Sequence, residues 1–107
     1  MAARALIHVP KTAKKGEVIE LRAMISHRME TGHRQGVNGE MIPRDIINRL
    51  TCTYEGVEVF SAELFPAVSA NPFVSFYTVA VQSGVIAFTW TDDAGATQVA
   101  TAEITVS

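Results

Sequence analysis

Two histidines, three arginines and two methionines fall between Ile25 and Asp45, a stretch that abandons the pattern kept on either side of it. It runs Ser26-His27-Arg28-Met29-Glu30-Thr31-Gly32-His33-Arg34, then Gln35-Gly36-Val37-Asn38-Gly39-Glu40-Met41-Ile42-Pro43-Arg44. Guanidinium groups suit sulfate-like oxyanions, because their fork of donors makes charge-assisted hydrogen bonds to paired oxygens. Glu30, flanked by Arg28 and Arg34, is placed to hold the loop's shape while one arginine stays available to an anion. The plain alternative is that each arginine is a solvated charge. Connections this long in a small domain are usually functional or disordered. Met29, Val37, Met41 and Ile42 are anchoring groups that a disordered linker would lack, so an ordered functional loop is expected.

No complete catalytic set accompanies it. A cysteine nucleophile needs a thiolate held by a nearby base or positive field. Cys52 instead alternates with Leu50 and Tyr54, which places it on the inward face of a strand as an inert core residue. A metal would need several ligands converging; His27, His33 and Glu30 share one loop, whereas His8 lies on another strand. Asp92 and Asp93 precede Gly95 in a turn, where aspartate serves to hydrogen-bond the backbone. No glycine-rich phosphate loop opens a helix. The residues therefore predict no catalytic group, no metal and no cofactor.

The elements that must carry the loop alternate with period two. Arg4 to Val9 supplies a first strand, and Glu17 to Ile25 sets Ile19, Leu21, Ala23 and Ile25 on one face. Asp45 to Tyr54, the Glu55-Gly56 turn and Val57 to Leu64 form a hairpin. Phe73 to Val81 and Val85 to Thr91 follow, the second with Ile86, Phe88 and Trp90 inward; Gln98 to Val106 closes with Ala100, Ala102, Ile104 and Val106 inward. Seven strands and no convincing helical period predict an all-β, immunoglobulin-like sandwich with one long loop, a single domain over residues 1–107. The strand from Phe73 is apolar on both faces, where a sandwich strand normally wets one. It is either a central strand partly covered by a loop or a strand whose Phe73, Tyr77 and Val79, or their opposite-face neighbours, sit against a partner. The weakly charged Phe65 to Pro72 segment before it favours the partner.

Composition narrows the partners. Net charge is −2 and the basic residues are scattered, so the counterion-displacing patch that nucleic acid requires is absent. No apolar run is long enough to span a bilayer. Met1 to Val9 is too short an apolar run for a secretion signal, and with a single cysteine the residues alone point to the cytoplasm. Charged residues are 19%, below the roughly 25% usual in soluble domains. A small sandwich this poor in charge exposes apolar surface unless something covers it, which suggests a subunit.

Several segments resemble the SoxZ family, the companion of SoxY in the SoxYZ sulfur-carrier complex of bacterial thiosulfate oxidation. They are Lys11-Thr12-Ala13-Lys14-Lys15-Gly16-Glu17, Ile25-Ser26-His27-Arg28-Met29-Glu30-Thr31-Gly32, Ile42-Pro43-Arg44-Asp45-Ile46-Ile47, Ala70-Asn71-Pro72-Phe73 and Trp90-Thr91-Asp92-Asp93-Ala94-Gly95. The family pattern often has His-Pro before Met-Glu-Thr-Gly; Arg28 stands here in the proline position. The resemblance implies a sandwich paired with SoxY as a heterodimer, SoxY bearing the carrier cysteine on a glycine-rich arm. This chain ends Glu103-Ile104-Thr105-Val106-Ser107, without such an arm. It also implies transient contact with other Sox enzymes and a periplasmic location, reached by export with a signal-bearing partner. On this basis His27, Arg28, Met29, Glu30, His33, Arg34, Arg44, Asn71, Phe73, Phe76 and Tyr77 are the candidate partner-binding residues. The alternative is a free-standing immunoglobulin-like module that binds an anion or a metal through the loop.

Overall fold

The computed structural model describes residues 4–107, and the first three residues of the expected domain lie outside them. Eight strands form: β1 (Ala5–His8), β2 (Thr12–Ala13), β3 (Val18–Ile25), β4 (Ile47–Tyr54), β5 (Val57–Glu63), β6 (Phe73–Val79), β7 (Gly84–Asp92) and β8 (Thr97–Val106). They make two sheets, ordered β1-β3-β6 and β2-β8-β7-β4-β5. The architecture is the expected all-β sandwich. It has one strand more than the roughly seven expected, because β2 is a two-residue parallel pairing of Thr12–Ala13 with Thr105 and Val106. Two residues between lysines give no alternation to read.

The period-two pattern builds the core directly. Ile19, Leu21, Ala23 and Ile25 of β3 face Leu50, Cys52 and Tyr54 of β4 and Ile86, Phe88 and Trp90 of β7, all buried. Opposing these sets removes the largest apolar side chains from water, at roughly 1.5–3 kcal/mol for each fully buried one. An aromatic column crosses the seam between sheets. Phe60 of β5 stacks on Phe76 of β6 with centroids 4.1 Å apart, and Phe76 meets Phe88 edge-on at 6.2 Å. Phe76 is thus a core residue, only 8% exposed, rather than a surface contact. Its register opposite Leu21 decides this, since it turns Val74 and Phe76 inward and Phe73, Ser75 and Tyr77 outward.

The β4–β5 connection is a two-residue turn with Glu55 at φ 48° and Gly56 at φ 79°. Positive φ at both central residues is the geometry that matches strand twist in tight hairpins, and it explains the glycine. Below it, the Tyr54 hydroxyl accepts N–H bonds from Val81 and Gln82, 3.2 Å each, and donates to the Gln82 carbonyl. That one phenol pins the β6–β7 connection to β4. The opposite end of the sandwich gathers the β3–β4 loop, the β5–β6 connection and the β7–β8 turn. The molecule is 59 Å long and about 20 Å across, with a radius of gyration of 16.2 Å against about 13 Å for a compact domain of this size.

Candidate functional site

The loop between β3 and β4 is an ordered finger rather than a meandering connection. Glu30 and Asp45 exchange backbone hydrogen bonds, 2.9 Å in each direction. Farther out, Ile42 N–H donates to Arg34 O at 2.9 Å and Gly36 N–H to Glu40 O at 2.7 Å, so the two arms run antiparallel to a tip at Val37-Asn38-Gly39. Val37 is fully exposed there. Gly32 makes the arms' close approach possible: its φ is 86°, and a Cβ at that position would meet the Arg44 Cβ at 3.1 Å. Any other residue would be strained in conformation and crowded in space.

The finger's base is fixed by its own polar groups. His27 and Asn71 exchange two bonds, His27 N–H to Asn71 Oδ1 at 2.9 Å and Asn71 N–H to His27 O at 2.7 Å. That ties the finger to the β5–β6 connection. His27 Nδ1 accepts the Met29 N–H at 2.9 Å, which leaves the ring proton on Nε2, 3.9 Å from the Asp45 carboxylate. Met29 adopts φ 55°, turning its side chain into the core, where its sulfur accepts the Ile47 N–H at 3.3 Å. Met29 is accordingly a core anchor, 4% exposed, rather than a surface group.

Two of the three arginines are committed to carboxylates. Arg34 binds Glu30 through Nη2 at 2.7 Å, and that hydrogen bond is the main reason Glu30 titrates below the usual carboxylate range. Burial opposes the shift, and the nearby charges of Arg34 and Arg28 reinforce it. Arg44 forms a fork with Asp93, Nε to Oδ2 at 2.9 Å and Nη2 to Oδ1 at 2.8 Å. Asp93 also accepts from Ile46 N–H at 3.2 Å and Asn48 Nδ2 at 3.1 Å. Burial would raise its pKa, but the bonds from Arg44, Asn48 and Ile46, with the Arg44 charge, outweigh it and hold the carboxyl low. Arg28 is exposed and makes no hydrogen bond or ion pair among the described residues. His33 is exposed too, its backbone held by Thr31 Oγ1 at 3.2 Å. Of the three loop arginines only Arg28 is without an ion pair among the described residues, because the finger's frame uses Arg34 and Arg44.

Asp93 is the clamp that sequence reasoning passed over. Asp92 performs the expected turn role, its Oδ1 accepting the Ala94 and Ala96 N–H groups. A turn needs only one such acceptor, so the second aspartate of Thr91-Asp92-Asp93-Ala94-Gly95 was the available signal. The Cys52 thiol is fully buried, and desolvation pushes its pKa up to about 12. Burial of this kind disfavours the thiolate that a cysteine nucleophile needs. Among the described residues, no group of three or more His, Cys, Asp or Glu is placed to hold a metal ion, and no helix is long and apolar enough to cross a membrane.

The strand with two apolar faces, β6, is an edge strand rather than a central one. Phe73 and Tyr77 project from the outer face of the three-stranded sheet, and both are exposed.

Comparison with known proteins places this frame. No curated protein matches the chain significantly. Among solved structures, a putative superoxide reductase from Thermotoga maritima superposes with a TM-score of 0.75 at 18% identity, over 96% of this chain and 85% of that one. A superoxide reductase (neelaredoxin) from Ignicoccus hospitalis gives 0.70 at 19% identity, over 98% and 82%. The sulfur carrier protein SoxY from Chlorobium limicola f thiosulfatophilum gives 0.67 at 15% identity, over 96% and 78%. At these identities the likeness is one of fold alone. The profile described as "Sulphur oxidation protein SoxZ" matches residues 7–103, nearly the whole chain. The chain belongs to the SoxZ family.

Proposed function

We propose that this chain is the non-catalytic companion of a SoxY-type subunit that carries sulfur intermediates on a cysteine during thiosulfate oxidation. The pair is a periplasmic heterodimer, exported on the signal of the partner. The family match over residues 7–103 carries this reading. Two features of the molecule agree with it. Cys52, the one thiol, is buried with its pKa pushed up, which is in keeping with a sulfur-bearing group carried by the partner. Polar groups of the β3–β4 finger are tied to one another and to the neighbouring connections, which suits a rigid support more than a reacting centre.

The test is reconstitution. The chain is co-expressed with a tagged SoxY-type chain from the same genome, and the captured complex is supplied to the remaining Sox enzymes with thiosulfate. The expected result is stoichiometric co-capture, and turnover that needs both chains. Full turnover with the SoxY-type chain alone would overturn the companion role. Turnover that survives Cys52→Ala but not removal of the partner's cysteine would assign the carried sulfur to the partner.

A further inference from the structure

The outer faces of the two sheets differ in kind. That of the five-stranded sheet is mostly threonine, with Thr51, Thr53, Thr89, Thr91, Thr97 and Thr101 across β4, β7 and β8 beside Arg49, Glu103 and two scattered valines, Val85 and Val99. Hydroxyls at that density mark a solvated surface. The three-stranded sheet presents Leu6, Val18, Met24, Phe73, Tyr77 and Val79 instead. Tyr77 is 67% exposed and Val18 63%. Large apolar groups gathered on one exposed face mark an interaction site.

Besides His8, the central polar groups of this face, Glu20, Arg22 and Ser75, satisfy each other. Glu20 accepts from Arg22 at 2.9 Å and from the Ser75 hydroxyl at 2.7 Å, across the centre of the sheet. A partner that covers them would bury a net-neutral, hydrogen-bonded trio rather than a naked charge, which lowers the cost of burying them. On one side of the trio, Leu6, Met24 and Phe73 border a depression of about 230 Å³, room for one large side chain. On the other, Val79 continues into an apolar groove of about 380 Å³ at the open seam between β5 and β6, with Val57, Val59 and Val81 along it. Between the depressions runs β6, an edge strand without a single charged residue. Edge strands that must stay single normally carry lysine, proline or an inward charge.

Size and fold say what covers it. Three strands about 4.8 Å apart and seven residues long at about 3.4 Å each present at most roughly 340 Å² in projection. That falls short of the roughly 800 Å² per partner of a stable interface, and the adjoining seam extends the patch toward it. SoxY of Chlorobium limicola has this same fold, with a TM-score of 0.67. Two chains of one fold can pair through equivalent surfaces about an approximate twofold axis, sheet against sheet. We propose that the outer face of β1-β3-β6, continued through Val79 into the β5–β6 seam, is the surface that receives a SoxY-type subunit. This rests on the function proposed above and specifies where its partner sits.

The test titrates a labelled SoxY-type chain with the purified protein and with Leu6→Glu and Tyr77→Glu. Thr89→Glu and Thr101→Glu, on the threonine face, are the controls. The expected result is a Kd at least tenfold weaker for each face variant and within twofold of wild type for each control, with all melting curves retained. Hydrogen exchange on the wild-type complex reads the same surface without substitution: new protection should appear in β3 and β6. Face variants that bind within twofold of wild type, or protection confined to β7 and β8, would overturn the assignment and leave the pairing intact. If the wild-type chain binds no SoxY-type subunit, the proposed function fails as well. Self-association of wild type that is lost in Tyr77→Glu would make a second copy the occupant and refute the proposal.

Discussion

Replacing Asp93 by asparagine removes a charge without changing size, and it probes what holds the finger in place. The carboxylate accepts four hydrogen bonds, two from Arg44 and one each from Ile46 and Asn48. An amide has one acceptor oxygen, and its NH2 would face the remaining donors. Hydrogen bonds to a charged group are worth about 1.5–3 kcal/mol, and a buried N–H left without a partner costs about 1–3. The Arg44 side chain is half exposed and regains water when released, so the total is discounted to about 2–3 kcal/mol. With an unfolding entropy of about 2.1 cal/mol/K per residue over 107 residues, the Tm should fall by about 9–13 °C at pH 7. The sign with pH follows from the lowered carboxyl. Asp93's contribution is fully present above the unfolded value of about 3.9 and is lost as pH falls through its lower folded value. Circular dichroism melts from pH 7 to pH 3 should therefore show the gap between wild type and Asp93→Asn narrowing below about pH 4. A Tm within about 2 °C of wild type at pH 7, or a gap that does not narrow in acid, would refute the clamp.

Other outcomes follow from the same structure. Tyr54→Phe strands the Val81 and Gln82 N–H groups and should cost about 1–3 kcal/mol in urea unfolding; a loss under about 0.5 would contradict the phenol's role. Cys52 should resist iodoacetamide at pH 8 in the folded protein and react once denatured, and Cys52→Ala should cost about 1–2 kcal/mol with carrier turnover retained. Labelling of the native protein at the rate of an unfolded peptide would show that the thiol is not buried. Arg28→Ala, which breaks no ion pair, should leave the Tm within about 2 °C while slowing turnover through the carrier; an unchanged rate would reduce the finger to a structural prop.

Much of the sandwich was legible because burial on one face writes itself as alternation. Ile19 to Ile25, Leu50 to Tyr54 and Ile86 to Trp90 all occupy the core, and Cys52 sits among them. The turns at Glu55-Gly56 and Asp92 were readable from turn chemistry. What escaped lacked a local signal. The β2 bridge is too short for a period. The two-faced character of β6 was visible, but its edge position and the inward turn of Phe76 came only from pairing with β3. The finger's architecture depends on residues far apart in the chain, His27 with Asn71 and Arg44 with Asp93, separations of 44 and 49 residues. Arg34 and Arg44 therefore read as available cations when they are tied to carboxylates.

The claim that this chain works as one half of a carrier is tested most directly by sedimentation velocity of an equimolar mixture with a SoxY-type chain from the same genome, at about 1 µM each. One boundary at the summed mass of the two chains, persisting on dilution, is the predicted result. Two boundaries at the masses of the separate chains would contradict it.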